Sequence, residues 1–78
     1  MPTVKYISGP FRLFFYSFDC NEPMHVHVQR ERSVCKYWLK PLVLCKNNSF
    51  SPKELNTIRK LIQSNMHIIL EAWNEHCG

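Results

Sequence analysis

The stretch Phe50-Ser51-Pro52-Lys53-Glu54-Leu55 divides the chain into two unlike parts. Ser51 stands where a helix N-cap is wanted, Pro52 at the first helical position, and Glu54 where its carboxylate can reach back and close a capping box. Phe50 and Leu55 occupy the two positions of a hydrophobic staple across that start. Downstream, Leu55, Ile58, Ile62, Met66 (or Asn65), Ile69 and Trp73 recur at spacings of three and four, the stripe of an amphipathic helix. Lys53, Asn56, Arg59, Lys60, Gln63, His67 and Asn74 fall mostly elsewhere, on a solvated face. The spacing predicts one helix from 52 to about 76, roughly 37 Å long by the α-helical rise. That is longer than a small sheet is wide, so its last turns, carrying Trp73, are expected to overhang and meet a partner.

Everything before Phe50 reads as strands. TVKYI (3–7) alternates weakly, Ser8-Gly9-Pro10 supplies turn chemistry, and FRLFFYS (11–17) is apolar on both faces, as a central strand covered twice would be. DCNEP (19–23) breaks the run, because Asp, Asn and Pro favour loops and Pro23 biases Glu22 away from helix. MHVHVQ (24–29), VCKYWLK (34–40) and PLVLCK (41–46) give further short strands, with a corner at Pro41. The predicted class is α+β: an antiparallel meander of four to five strands with one long C-terminal amphipathic helix packed on one face. No linker, repeat or low-complexity stretch interrupts it, so residues 1–78 are read as one domain.

Within the meander, His25, His27 and Gln29 share one face of a strand while Val26 and Val28 take the other. A two-residue Glu31-Arg32 loop would set His27 opposite Lys36, His25 opposite Trp38, Val28 opposite Cys35 and Val26 opposite Tyr37. One face is then apolar and the other imidazole, cationic and aromatic, although Glu-Arg lacks the glycine such a turn prefers.

Size and composition narrow what that face can serve. At 78 residues the chain is near the lower limit for a self-sufficient core, which leaves room for a homodimer or a small cognate protein partner. Apolar residues make up 45%, excluding a disordered tail, and the longest apolar run contains Arg12 and is too short to span a bilayer. The net charge of +4 permits RNA or an acidic partner without requiring either. The start MPTVKYISG lacks the features of a signal peptide, and no CxxC pair occurs, so Cys20, Cys35, Cys45 and Cys77 are expected to be reduced, mostly buried thiols of a cytoplasmic protein.

Three kinds of chemistry suit the histidine face. His25 and His27 could serve as a general acid/base pair with Lys36 stabilising an anionic phosphate, the minimum for a metal-independent ribonuclease. Alternatively, Trp38 or Tyr37 could stack on a base while Lys36, Lys40, Arg30 and Arg32 approach phosphates. An HxH pair can also give two imidazoles to one ion, but only Glu22, Cys20, His67 or His76 are seen to complete a tetrahedral set, so no metal or other cofactor is expected. The plainer reading is a solvated strand face with Trp38 covering a second small core and Trp73 packed under the helix.

The pieces MPT (1–3), EPMHVHV (22–28), CKYWL (35–39) with Pro41, FSPKEL (50–55) and LEAWNE (70–75) resemble the small bacterial and archaeal proteins of the domain of unknown function 4160 family, over nearly the whole chain. Members usually read EPPHVHV, AKFWL and Asn-Arg-Gly-Phe before the helix; here Met24, Cys35 and Lys46-Asn47-Asn48-Ser49-Phe50 stand instead. If the family turn uses positive φ at the missing glycine, Asn48 or Ser49 must adopt it. The resemblance carries over Glu22, Pro23, His25, His27, Lys36, Trp38 and Trp73, and it implies a toxin–antitoxin-type pair without supplying a reaction. Two expectations follow. One is a toxin-like metal-independent ribonuclease with His25, His27 and Lys36 catalytic and Glu22, Trp38, Lys40 and Arg30 binding. The other is a non-enzymatic module whose strand face, or helix end at Trp73, docks a protein partner or nucleic acid.

Overall fold

The alternation around the histidines closes as the expected hairpin. In the computed structural model, which describes residues 3–5, 7 and 9–78, strands β2 (His25–Arg30) and β3 (Ser33–Leu39) pair antiparallel. His25 lies opposite Trp38, Val26 opposite Tyr37, His27 opposite Lys36 and Val28 opposite Cys35. The turn is Glu31-Arg32, and Glu31 takes the positive φ of 54° that glycine would adopt freely. Burial fixes this register: Val26, Val28, Cys35, Tyr37 and Leu39 are all buried on one face, and a one-residue slip would drive imidazoles and an ammonium into their place.

Two more strands complete a four-stranded antiparallel sheet in the order β1-β2-β3-β4. In β1 (Arg12–Phe14), Leu13 faces Val28 and Phe14 faces His27. β4 (Leu42–Asn48) follows a turn at Lys40-Pro41, whose peptide bond is cis, and a register shift between Lys36 and Tyr37 leaves Cys45 without a partner residue. The FRLFFYS segment was expected at the centre of the sheet; instead its three paired residues form an outer strand of the described sheet. Its two-sided apolar character is still satisfied, because Leu13 faces the core and Phe14 is buried on the histidine side. Part of the expected 3–7 strand and of its following turn falls on Tyr6 and Ser8, which, like Met1 and Pro2, lie outside the described residues; Thr3 forms an isolated bridge to Phe14.

Ser49, at φ 79°, makes the turn into the helical layer where family members usually carry glycine near this point. Asn47 secures that turn by donating to Phe50 O and accepting from Phe50 N. The helix start forms as read: Ser51 Oγ accepts from Glu54 N at 3.2 Å, and Ser51 N donates to Glu54 Oε1 at 3.1 Å. One continuous helix, however, is not found. The helical stretch is divided into α1 (Pro52–Ser64) and α2 (Met66–Cys77), with Asn65 between them at φ −118°. The Asn65 side-chain amide donates to Leu61 O at 2.9 Å, and its backbone N–H is shared between Leu61 O and Ile62 O, a local competition that tightens and interrupts the turn.

The break keeps the helices on the sheet. The longest dimension of the fold is 33 Å, and Trp73 does not overhang: it is only 6% exposed and meets Phe15 edge-on at 5.4 Å. Ile58, Ile62 and Ile69 are fully buried against Val26, Val28, Tyr37 and Leu39, each burial contributing roughly 1.5–3 kcal/mol before entropy is set against it.

A second correction concerns the cysteines. Cys20 and Cys77 form a disulfide, with Cα atoms 5.4 Å apart, and Cys45 is exposed; of the four, Cys35 alone is a buried thiol, pushed up to about 12 by burial. No local spacing signals the bridge, since its ends are 57 residues apart and meet only after α2 has packed. In the chain-entropy account, closing a loop of that length stabilises the fold by about 4 kcal/mol. Cys77→Ser is therefore expected to lower the unfolding free energy by a comparable amount in urea titrations; a loss below about 1 kcal/mol contradicts that role for the bridge.

Candidate functional site

The site begins where the chain leaves the sheet. After Phe14, Phe15 turns into the core and residues 16–18 lead to a single 3-10 turn, Asp19–Asn21. Tyr16 and Asp19 lock this loop reciprocally: Asp19 N donates to Tyr16 O at 3.1 Å, and Tyr16 N donates to Asp19 Oδ2 at 2.7 Å. The buried Asp19 carboxylate is thereby held over the two imidazoles. Oδ1 lies 3.1 Å from His25 Nε2, and Oδ2 accepts from His27 Nε2 at 3.1 Å.

Each imidazole is gripped from several sides. His25 Nδ1 donates to Pro23 O at 2.8 Å, so the bend imposed by Pro23 has a direct use. The His25 ring meets Trp38 at 5.5 Å, Trp73 at 5.3 Å and His27 at 5.1 Å, all edge-on, and has no exposed surface. His27 stacks on Phe14 at 5.4 Å and meets the Tyr16 ring at 4.7 Å, leaving its side chain 13% exposed. Lys36 Nζ bonds Glu22 Oε1 at 2.6 Å and sits 4.5 Å from the Trp38 ring centre.

The expected convergence of His25, His27, Lys36 and Trp38 on one side of the sheet is present, and Glu22 joins it through Lys36. Two other candidates are placed elsewhere. Arg30 and Lys40 lie towards opposite ends of β3, with the Arg30 guanidinium over Phe11. Trp73, read both as part of the packed apolar stripe and as a partner contact at the helix end, takes the first place: it is a core residue whose ring closes over His25.

A groove of about 570 Å³ runs along the accessible side of this cluster, lined among others by Tyr16, Phe18, His27, Lys36, Lys46 and Asn48. Sequence reasoning missed Asp19, Tyr16, Phe18 and Lys46. The sequence marks Asp19 only as a loop former, because no periodicity links a loop carboxylate to a strand. Lys46 was in principle legible, because it pairs with Lys36 and so shares its face, but the bulge at Cys45 shifts the count by one.

The electrostatics are those of a buried anion with imidazole neighbours. Burial alone would raise the Asp19 pKa, yet the Tyr16 N–H and the two histidines outweigh it and hold the carboxyl below its usual range. His27 moves down from its ordinary value chiefly through desolvation, which the Asp19 charge offsets only in part, so the ring is neutral at pH 7. Glu22 is held low by its bond from Lys36. Such a cluster can orient a proton or, with its N, N and O donors, an ion.

The matched sequence now has a structural meaning. Residues 11–74 match the family model described as Domain of unknown function (DUF4160). The chain belongs to that family. The DUF4160 match spans the whole sheet, Asp19, both histidines and Trp73, and stops before Cys77. No curated protein and no solved structure matches this chain. Among the described residues, no helix is long and apolar enough to cross a membrane.

The two shifted groups set an acid limit. A His27 pKa below its ordinary 6.5 means the unfolded chain takes up a proton first, so stability is complete above that pH and falls as pH drops towards the folded value. The Asp19 contribution persists above 3.8 and is lost as pH falls through its lower folded value. Urea midpoints measured with chelator present should decline from pH 7 to 5, and less steeply in His27→Gln; an identical slope in that variant contradicts the assignment.

Proposed function

We propose that this protein binds single-stranded RNA along the groove beside His27, as a binding module rather than a nuclease. One observation carries the reading: Tyr16 and Phe18 stack in parallel, ring centres 5.4 Å apart and planes 7° apart, with Phe18 64% exposed at the groove lined by Lys36 and Lys46. An aromatic platform beside ammonium groups is how sequence-tolerant single-strand binders hold bases and backbone together. A solvent-exposed phenylalanine is otherwise unfavourable, and its neighbour Tyr16 provides a surface that extends the stack. The net charge of +4 supports the same ligand.

The two-histidine acid/base scheme has less support. His25 is sealed from solvent, and both imidazoles direct the same nitrogen at one carboxylate rather than towards opposite sides of a phosphorus atom. Lys36 is engaged by Glu22, which leaves Lys46 as the freer groove cation. RNA as the ligand implies the cytoplasm, where thiol buffers compete with the Cys20–Cys77 bridge, so binding is best measured with the bridge both oxidised and reduced.

Fluorescence anisotropy with a labelled oligouridine tests the proposal. Phe18→Ala should weaken binding about fivefold or more, the loss of one stacked base. Lys46→Ala should reduce the slope of log affinity against log salt by about 0.7. RNA incubated with the protein in EDTA should be recovered intact. No saturable binding at low salt, or equal affinity for wild type and Phe18→Ala, contradicts the proposal.

A further inference from the structure

We propose that Asp19, His25 and His27 form a binding site for a divalent transition-metal ion, zinc foremost, with a fourth coordination position open to the groove. Two imidazole nitrogens and one carboxylate are a donor set that suits zinc, whereas magnesium and calcium favour oxygen. The ligand atoms of the three residues all lie within 4.8 Å of one another. Both nitrogens are 3.1 Å from a carboxylate oxygen, near the separation of about 3.3–3.4 Å that tetrahedral bonds of zinc length impose on their donors.

An independent observation points the same way. His25 Nε2 is buried and has no hydrogen-bond partner, although Asp19 Oδ1 is 3.1 Å from it. Nδ1 is engaged with Pro23 O, which leaves Nε2 as the ring nitrogen that can reach an ion. A buried ring nitrogen without a hydrogen-bond partner is costly, and an ion shared with the adjacent carboxylate would satisfy it. A histidine that gives its Nδ1–H to a backbone carbonyl while Nε2 stays bare is also the arrangement by which metal-binding imidazoles are oriented.

The site is preorganised rather than merely clustered. The Tyr16 N–H fixes the Asp19 carboxylate, and the indoles of Trp38 and Trp73 fix the His25 ring. Asp19 and His27 also line the groove, so the remaining position faces it and would be filled by water or by a phosphate oxygen of a bound strand. For that last ligand alone, the inference rests on the RNA reading. Cys20, His76 and Cys77 form a second close group, but its two sulfurs are joined to each other and are not thiolate ligands while the bridge is closed.

The test uses untagged, chelator-stripped protein with the Cys20–Cys77 bridge oxidised and exposed Cys45 alkylated; buried Cys35 is spared. Zinc chloride is titrated against a chromophoric chelator, without RNA. One equivalent should bind with a dissociation constant in the micromolar range or tighter, and Asp19→Asn and His27→Gln should each weaken it at least tenfold. Cobalt(II) chloride added to the wild-type protein gives a readout that needs no variant: four-coordinate nitrogen and oxygen ligation produces the intense visible absorption that the hydrated ion lacks. Absence of binding below millimolar zinc, unchanged affinity in both folded variants, or the spectrum of hydrated cobalt overturns the site. Failure here leaves oligouridine binding untouched, and loss of oligouridine binding in Phe18→Ala should leave zinc affinity unchanged, so the two proposals fail separately.

Discussion

A single buried carboxylate organises the histidine side of this protein. Asp19 could not be buried as an anion without partners, because desolvating an unpaired charge costs more than a small fold can supply. It is satisfied by the Tyr16 N–H and by His27 Nε2, with the His25 ring, on the same strand face, 3.1 Å from its other oxygen. The same contacts explain why the 16–21 loop folds back over the sheet instead of following solvent. Once there, it meets the end of α2, where Cys20 bonds Cys77 and His76 Nε2 donates to Tyr16 O at 3.0 Å. The loop, the sheet and the last helical turn are thus fastened at one point.

Two environments result, which meet where Trp73 of the apolar core closes over His25. On the helix side, burial is apolar and non-directional, set by Val26, Val28, Tyr37 and Leu39 against Ile58, Ile62 and Ile69. Tyr37 fits there because its hydroxyl donates to Leu55 O at 3.1 Å. On the histidine side, burial is directional: among the described residues, the buried side-chain nitrogens and oxygens have hydrogen-bond partners except His25 Nε2. A smooth apolar layer supplies stability and a polar layer fixes geometry. The groove lies on the second, which is where rigid positioning of a ligand is most useful.

What the sequence disclosed follows the same division. The β2–β3 register was legible because alternation is strict there and only one pairing keeps valine opposite cysteine and tyrosine, histidine opposite lysine and tryptophan. The Ser51 capping box was legible because its chemistry is local. Asp19 over the histidines, the Cys20–Cys77 bridge and the closure of Trp73 over His25 were not, since each depends on segments far apart in sequence arriving at the same place. Asn65 lies between these cases: its side chain breaks the helix locally, but the apolar stripe on either side hid the interruption.

The central claim is that Asp19 lies against the Nε2 edges of both imidazoles, bonded to His27, with His25 anchored by Nδ1–H to Pro23 O. Nitrogen NMR of the histidine rings in metal-free protein measures this directly. The account expects a His25 Nδ1 proton protected from solvent exchange, and resonances of both rings that move in Asp19→Asn. A His25 Nδ1 without a proton, or ring signals of His25 and His27 that stay in place in a folded Asp19→Asn protein, would contradict it.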